Sequence, residues 1–148
     1  MDKHLIVCEV RWPGREEASL TVELASDDTI LRADLYGIGG PEFLRALCDL
    51  RARLTGSWRE VALLPQGNRP SDLLLRELIL KARGEWHFPY EEEELCHCRA
   101  VPTAVVDQAI CRGAQTPQKV SALTSASTAC GTCRPNVEAI IKYRLQRS

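Results

Sequence analysis

The first third of the chain has a strand-like alternation of apolar and polar positions. Leu5 to Val10 is a β-rich apolar run that ends at the turn signal Trp12-Pro13-Gly14. From Ala18 to Leu24, Leu20, Val22 and Leu24 fall on one face, and Thr21 and Glu23 on the other. Ser26-Asp27-Asp28 makes the next turn, and Ile30 to Tyr36 supplies a further strand. The pattern predicts an antiparallel meander that Gly37-Ile38-Gly39-Gly40-Pro41 breaks, with Pro41 in the first turn of a helix. Helical spacing then takes over. Phe43, Leu44, Leu47, Leu50 and Leu54 share one stripe, and Gly56 stands at a C-terminal cap position. After a short segment from Trp58 to Leu64, Ser71 is placed to cap a second helix running to about Ala82 and ended by Gly84. Its expected buried face is Leu74, Leu75, Leu78, Ile79 and Ala82, with Arg76 and Glu77 toward solvent.

The pattern changes again past Gly84. Trp86, Phe88 and Tyr90 alternate around Pro89, which disfavours helix and predicts an extended connection. The three rings serve either as anchors packing one domain on the other or as a docking surface, the first being the commoner use of apolar side chains. Helical signals follow: Pro102 to Cys111, with Val105, Val106 and Ile110 inward and a stop at Gly113; a second helix behind Thr116-Pro117; a small-residue loop from Ser125 to Ala129; and a last helix opened by Pro135 and carrying Val137, Ile140, Ile141 and Leu145. The expected class is α+β: a small antiparallel sheet with helices over residues 1–85, a linker over 86–94, and a small all-α domain over 95–148.

Composition narrows the function classes. With 19 Lys and Arg against 20 Asp and Glu, the net charge of -1 gives no reason to expect nucleic acid as a partner. No apolar run is long enough to span a bilayer, so no membrane association is expected. The leading residues Met1 to Cys8 lack the pattern of a signal peptide, which makes a cytoplasmic location the expectation. In a reducing compartment clustered cysteines favour metal over disulfide, and seven is an odd count for a closed disulfide framework.

Four of the seven form two close pairs, Cys96-His97-Cys98 and Cys130-Gly131-Thr132-Cys133, separated by Arg99 to Ala129. Paired thiolates on two short segments can converge on one soft metal centre. Each pair precedes a helix start, Pro102 and Pro135, so backbone N–H groups of both helices are expected to face the sulfurs. The same sulfurs also suit a structural zinc ion. His97 lies between two better ligands and is expected to point outward. Arg99 and Arg134 follow the pairs, either tempering their charge or serving as ordinary surface residues. Cys8, Cys48 and Cys111 read as small buried residues.

The residues around these pairs resemble a known family. Cys96-His97-Cys98-Arg99-Ala100-Val101, Ala109-Ile110-Cys111-Arg112-Gly113-Ala114 with Thr116, and Thr124 to Cys133 are similar, in register, to the bacterioferritin-associated-ferredoxin-like (BFD-like) [2Fe-2S] domain. The resemblance covers about residues 95 to 147 and departs where Ser125 and Ser127 replace glycines frequent in the family's closing loop. It implies short helices around one [2Fe-2S] cluster near the surface, with Cys96, Cys98, Cys130 and Cys133 as ligands.

The leading domain resembles, more distantly, the scaffold domain of NifU and IscU proteins. Ala33 to Gly39 looks like that family's strand entering a Gly-Cys-Gly turn, and Leu64 to Leu73 like its Leu-Pro…His-Cys-Ser segment. The order of the two domains is that of NifU. The scaffold's cysteine positions are occupied by Ile38 and Pro70, and no cysteine lies near Arg15 to Ala18. Neither isoleucine nor proline ligates iron, so this domain is expected not to assemble clusters.

The expected function is that of a non-enzymatic, cytoplasmic [2Fe-2S] protein in one-electron transfer or iron–sulfur cluster assembly, acting on a protein partner. A second copy of the chain is among the partners the sequence allows. A structural zinc module and a cluster-based redox or iron sensor are the competing readings. The histidines His4, His87 and His97 form no recognisable catalytic constellation.

Overall fold

The computed structural model describes residues 3–12, 15–129 and 131–145. The chain is α+β and divides into two compact units, Met1–Gln66 with Leu74–Trp86, and Gly67–Leu73 with His87–Arg147. Among the described residues no helix is long and apolar enough to cross a membrane.

The first unit is built on a three-stranded antiparallel sheet in the order β1-β2-β3, with β1 His4–Trp12, β2 Glu16–Leu24 and β3 Ile30–Ile38. Pairings such as Val7 with Thr21 and Leu20 with Leu35 keep Val10, Leu20, Val22 and Leu35 on the buried face. That is the outcome expected of a period-2 pattern with one covered side. The glycine run does not break the sheet where the sequence suggested. β3 continues through Ile38, with Gly37 paired to Ala18. A side chain at Gly37 would overlap Leu47 Cδ1 and come within 3.0 Å of the Glu17 carbonyl. Gly37 is therefore a point of close approach to helix α1 (Pro41–Arg53) rather than a strand end. In α1, Phe43, Leu47 and Leu50 are buried, while Leu44 faces solvent at 40 % exposure.

After the single turn α2 (Trp58–Val61) comes α3 (Pro70–Ala82), which differs from expectation in two ways. It starts at Pro70, so Ser71 lies inside the helix rather than capping it. Arg76 and Glu77 are buried, at 2 % and 7 % exposure, and not on a solvent face. Leu73, Leu74, Leu75, Leu78, Ile79 and Leu80 ring nearly the whole circumference, and a helix apolar all round is buried all round. The two charges are accommodated locally: Arg76 donates to the Pro65 carbonyl at 2.7 Å, and Glu77 meets Lys81 at 2.7 Å.

The second unit has a two-stranded antiparallel hairpin, β4 (Glu94–Cys96) and β5 (Val101–Pro102), followed by α4 (Thr103–Cys111), α5 (Pro117–Thr124) and α6 (Arg134–Arg144). Its core gathers Leu95, Val106, Ile110, Val120, Val137 and Ile140, with Phe88 and Tyr90 packed on its edge. These two rings are thus anchors on this unit, and Val105, expected inward, is 45 % exposed. Thr116 caps α5 as expected, accepting from the Lys119 amide at 3.2 Å. Asp107 of α4 and Arg144 of α6 form a two-pronged ion pair, both contacts at 2.7 Å, with Arg144 only 3 % exposed.

Candidate metal centre

The first cysteine pair sits in the β4–β5 hairpin. Cys96 ends β4 and is buried; Cys98 lies in the following turn and is exposed. The turn closes in few residues because Ala100 takes a left-handed conformation, φ 53°. The hairpin is tied down behind the pair. The Thr103 amide donates to the Glu93 carbonyl at 2.7 Å, and the Thr103 hydroxyl to the Glu92 carbonyl at 2.6 Å. This overturns one expectation: α4 begins only after β5, Pro102 in the cap position has no N–H, and the Thr103 amide is spent on Glu93. The first pair is presented by a hairpin, not by a helix N-terminus.

Cys133 stands at a helix start as expected, as the N-cap residue of α6, but the amides of that first turn bond to backbone carbonyls and not to its sulfur. Pro135 enters the first turn, and the Asn136 and Val137 amides donate back to the Cys133 carbonyl at 3.0 and 3.1 Å. Cys130 lies outside the described residues. The loop leading to it holds two serines in the left-handed region, Ser125 at φ 68° and Ser127 at φ 62°.

Cys96, Cys98 and Cys133 line one cavity of about 130 Å³, together with Tyr90, Leu95, His97, Thr132 and Asn136. Thiolates are the ligands that a cluster of irons and sulfides takes. The described residues thus fit such a group: thiol-bearing residues from two segments around one small space, with Cys98 at its exposed edge. Among the described residues no three His, Cys, Asp or Glu side chains stand close enough to form a single-ion site.

His97 borders this cavity but its ring nitrogens turn to carboxylates, Nδ1 to Glu94 at 2.7 Å and Nε2 to Glu92 at 3.6 Å. Its side chain is 65 % exposed, the outward orientation expected for it. The Tyr90 hydroxyl shares its one proton between the Glu94 carbonyl at 3.0 Å and the Glu92 carboxylate at 3.1 Å. Its phenol is held above the usual range, first by desolvation, then by the bond to Glu92 and the charges of Glu92, Cys133 and Glu94. Arg99 donates to the Thr128 hydroxyl at 3.0 Å, and Arg134 to Glu138 one turn along α6 at 3.0 Å. Cys111 is fully buried in α4, Cys48 is exposed on α1 against expectation, and Cys8 on β1 donates to the Leu78 carbonyl at 3.6 Å.

The site contains one contact that sequence reasoning missed. Ser127 Oγ lies 2.8 Å from Cys133 Sγ. Nothing in the spacing of Ser127 and Cys133 signals it, because it depends on the left-handed turn between them.

Cysteines on a hairpin and at a helix N-terminus thus border one small surface cavity beside the core of the second unit. Residues 95–143 match the family model of the BFD-like [2Fe-2S] binding domain. The chain is therefore a [2Fe-2S] cluster-binding protein, and its cofactor is the cluster. No curated protein and no solved structure matches it.

Proposed function

We propose that Cys96, Cys98, Cys130 and Cys133 hold the [2Fe-2S] cluster, and that the chain acts without catalysis as a one-electron carrier or cluster holder for a protein partner, in electron transfer or iron–sulfur cluster assembly. The observation that carries this reading is the cavity bordered by Cys96, Cys98 and Cys133 inside the matched stretch, with Cys98 exposed. A bound cluster supplies reversible one-electron chemistry. The protein's own part is to hold the sulfurs, shelter two of the ligand residues in the core, and leave one edge within reach of a partner. Cys96 and Cys133, at 2 % and 7 % exposure, belong to that core.

In this reading residues 1–85 form a NifU- or IscU-like scaffold that has lost its cluster positions and serves docking. Its sheet followed by helices supports that reading, as does Ile38 at the end of β3 and Pro70 at the start of α3, where neither can ligate iron. Nucleic acid and membrane have no part in it. A reducing, cytoplasmic setting would keep the four thiols available.

The test is a full redox cycle on the full chain, purified anaerobically and followed by visible absorption and iron content. Bleaching with dithionite and recovery on reoxidation with iron retained supports a carrier. Loss of iron within one cycle would favour a sensor instead. A colourless protein with about one zinc and no sulfide would overturn the reading.

A further inference from the structure

We propose that Ser127 is a positioning residue for the metal centre: its hydroxyl donates a hydrogen bond to the Cys133 sulfur and raises the reduction potential of the bound cluster. The inference rests on the reading above, in which Cys133 is a ligand.

The contact itself is short, 2.8 Å between Ser127 Oγ and Cys133 Sγ, and partly buried. In the metal-free thiol either atom can be the donor. Once the sulfur is a thiolate it can only accept, so the hydroxyl proton has one direction to point. A donor to a ligand sulfur favours the more negative, reduced state, which is how hydrogen bonds to sulfur tune such centres.

The backbone makes the serine conspicuous. Ser127 has φ 62°, a region glycine enters readily and side-chain-bearing residues seldom do. A strained residue beside a functional sulfur invites a functional reading of the side chain responsible for the strain. The loop does not need this hydroxyl for its shape. Ser121 Oγ holds the Ala126 carbonyl at 2.7 Å, the Ala126 amide donates to Thr124 Oγ1 at 3.2 Å, and Thr128 Oγ1 donates to the Ser125 carbonyl at 2.6 Å. Ser125 is an internal control, with the same left-handed backbone at φ 68°.

The experiment is a mediated potentiometric titration of the full chain, wild type against Ser127→Gly, Ser127→Ala and Ser125→Gly. Iron, sulfide and the melting temperature of the metal-free chain are measured in parallel. Both Ser127 variants should move to more negative potential by about tenfold in the one-electron equilibrium, which is about 59 mV. Ser125→Gly should stay at the wild-type value. Ser127→Gly should melt no lower than wild type, since glycine relieves the backbone. Unchanged potentials in fully loaded Ser127 variants would overturn the inference, as would an equal shift in Ser125→Gly, which would trace the effect to loop geometry. A wild-type chain without iron and sulfide would instead overturn the assignment of the cluster, and the inference with it.

Discussion

Replacing Asp107 with asparagine tests how the second unit is held together. Arg144 Nε and Nη2 each donate to one Asp107 carboxylate oxygen at 2.7 Å, tying α4 to α6. The Arg144 side chain is 3 % exposed and that of Asp107 16 %, so solvent screens the pair little. The Arg144 guanidinium also stands 5.9 Å from the Phe88 ring centre, on the edge of the same core. Asparagine keeps the shape and one acceptor but removes the charge. Breaking a buried pair by removing one partner costs about 3–5 kcal/mol, and the retained acceptor places Asp107→Asn near about 3 kcal/mol. Urea unfolding followed by far-ultraviolet circular dichroism should show it. With a slope of about 2 kcal/mol/M the midpoint falls by about 1.5 M at unchanged slope. The double substitution Asp107→Leu with Arg144→Met removes both charges and should recover most of the loss. A single substitution costing less than about 1 kcal/mol would refute the reasoning. So would a double substitution as unstable as the single one.

Four further outcomes follow from the first unit and the hairpin. Gly37→Ala forces a methyl into Leu47 Cδ1 and should destabilise by about 1–3 kcal/mol in the same unfolding assay; no loss would mean that α1 can back away from β3. Burial, opposed more weakly by Lys81, lifts the Cys8 thiol from 9.0 to about 11. The folded state therefore keeps its proton longer than the unfolded chain does. Stability present below pH 9 should decline as pH climbs through about 11, a slope that Cys8→Ala should flatten; an identical slope in the variant would contradict this. Iodoacetamide at pH 8 should accordingly label exposed Cys48 well before Cys8, and equal rates would count against the burial of Cys8. Thr103→Val removes the hydroxyl bonded to the Glu92 carbonyl at 2.6 Å and should speed cluster release on challenge with an iron chelator, whereas wild-type retention would show that the hairpin holds without it.

Strands β1 to β3 and helix α1 were legible because one side of each is covered, so the period of apolar residues reports the fold directly. The same logic failed on α3. A single buried stripe was assumed where the leucines on several faces meant burial all round, and the charges at Arg76 and Glu77 concealed it. Gly37 read as a sheet breaker because a glycine's lack of a side chain looks the same whether it frees the backbone or makes room for Leu47. At the metal centre, cysteine spacing and family resemblance were enough to identify a [2Fe-2S]-binding stretch. They misplaced the first pair, because the four-residue turn His97 to Ala100 ahead of Pro102 conceals a β-hairpin rather than a helix entry. The Ser127 contact could not be read at all, since it depends on the backbone hand of the loop, and serine does not announce a left-handed turn as glycine does.

The most direct test is the iron and acid-labile sulfide content of the full chain and of its single cysteine-to-alanine variants, purified anaerobically. The account predicts about two irons and two sulfides per chain, lost in each of Cys96→Ala, Cys98→Ala, Cys130→Ala and Cys133→Ala and kept in Cys48→Ala. A full complement of iron and sulfide surviving in any of those four variants, or about one zinc without sulfide in the wild type, would contradict it.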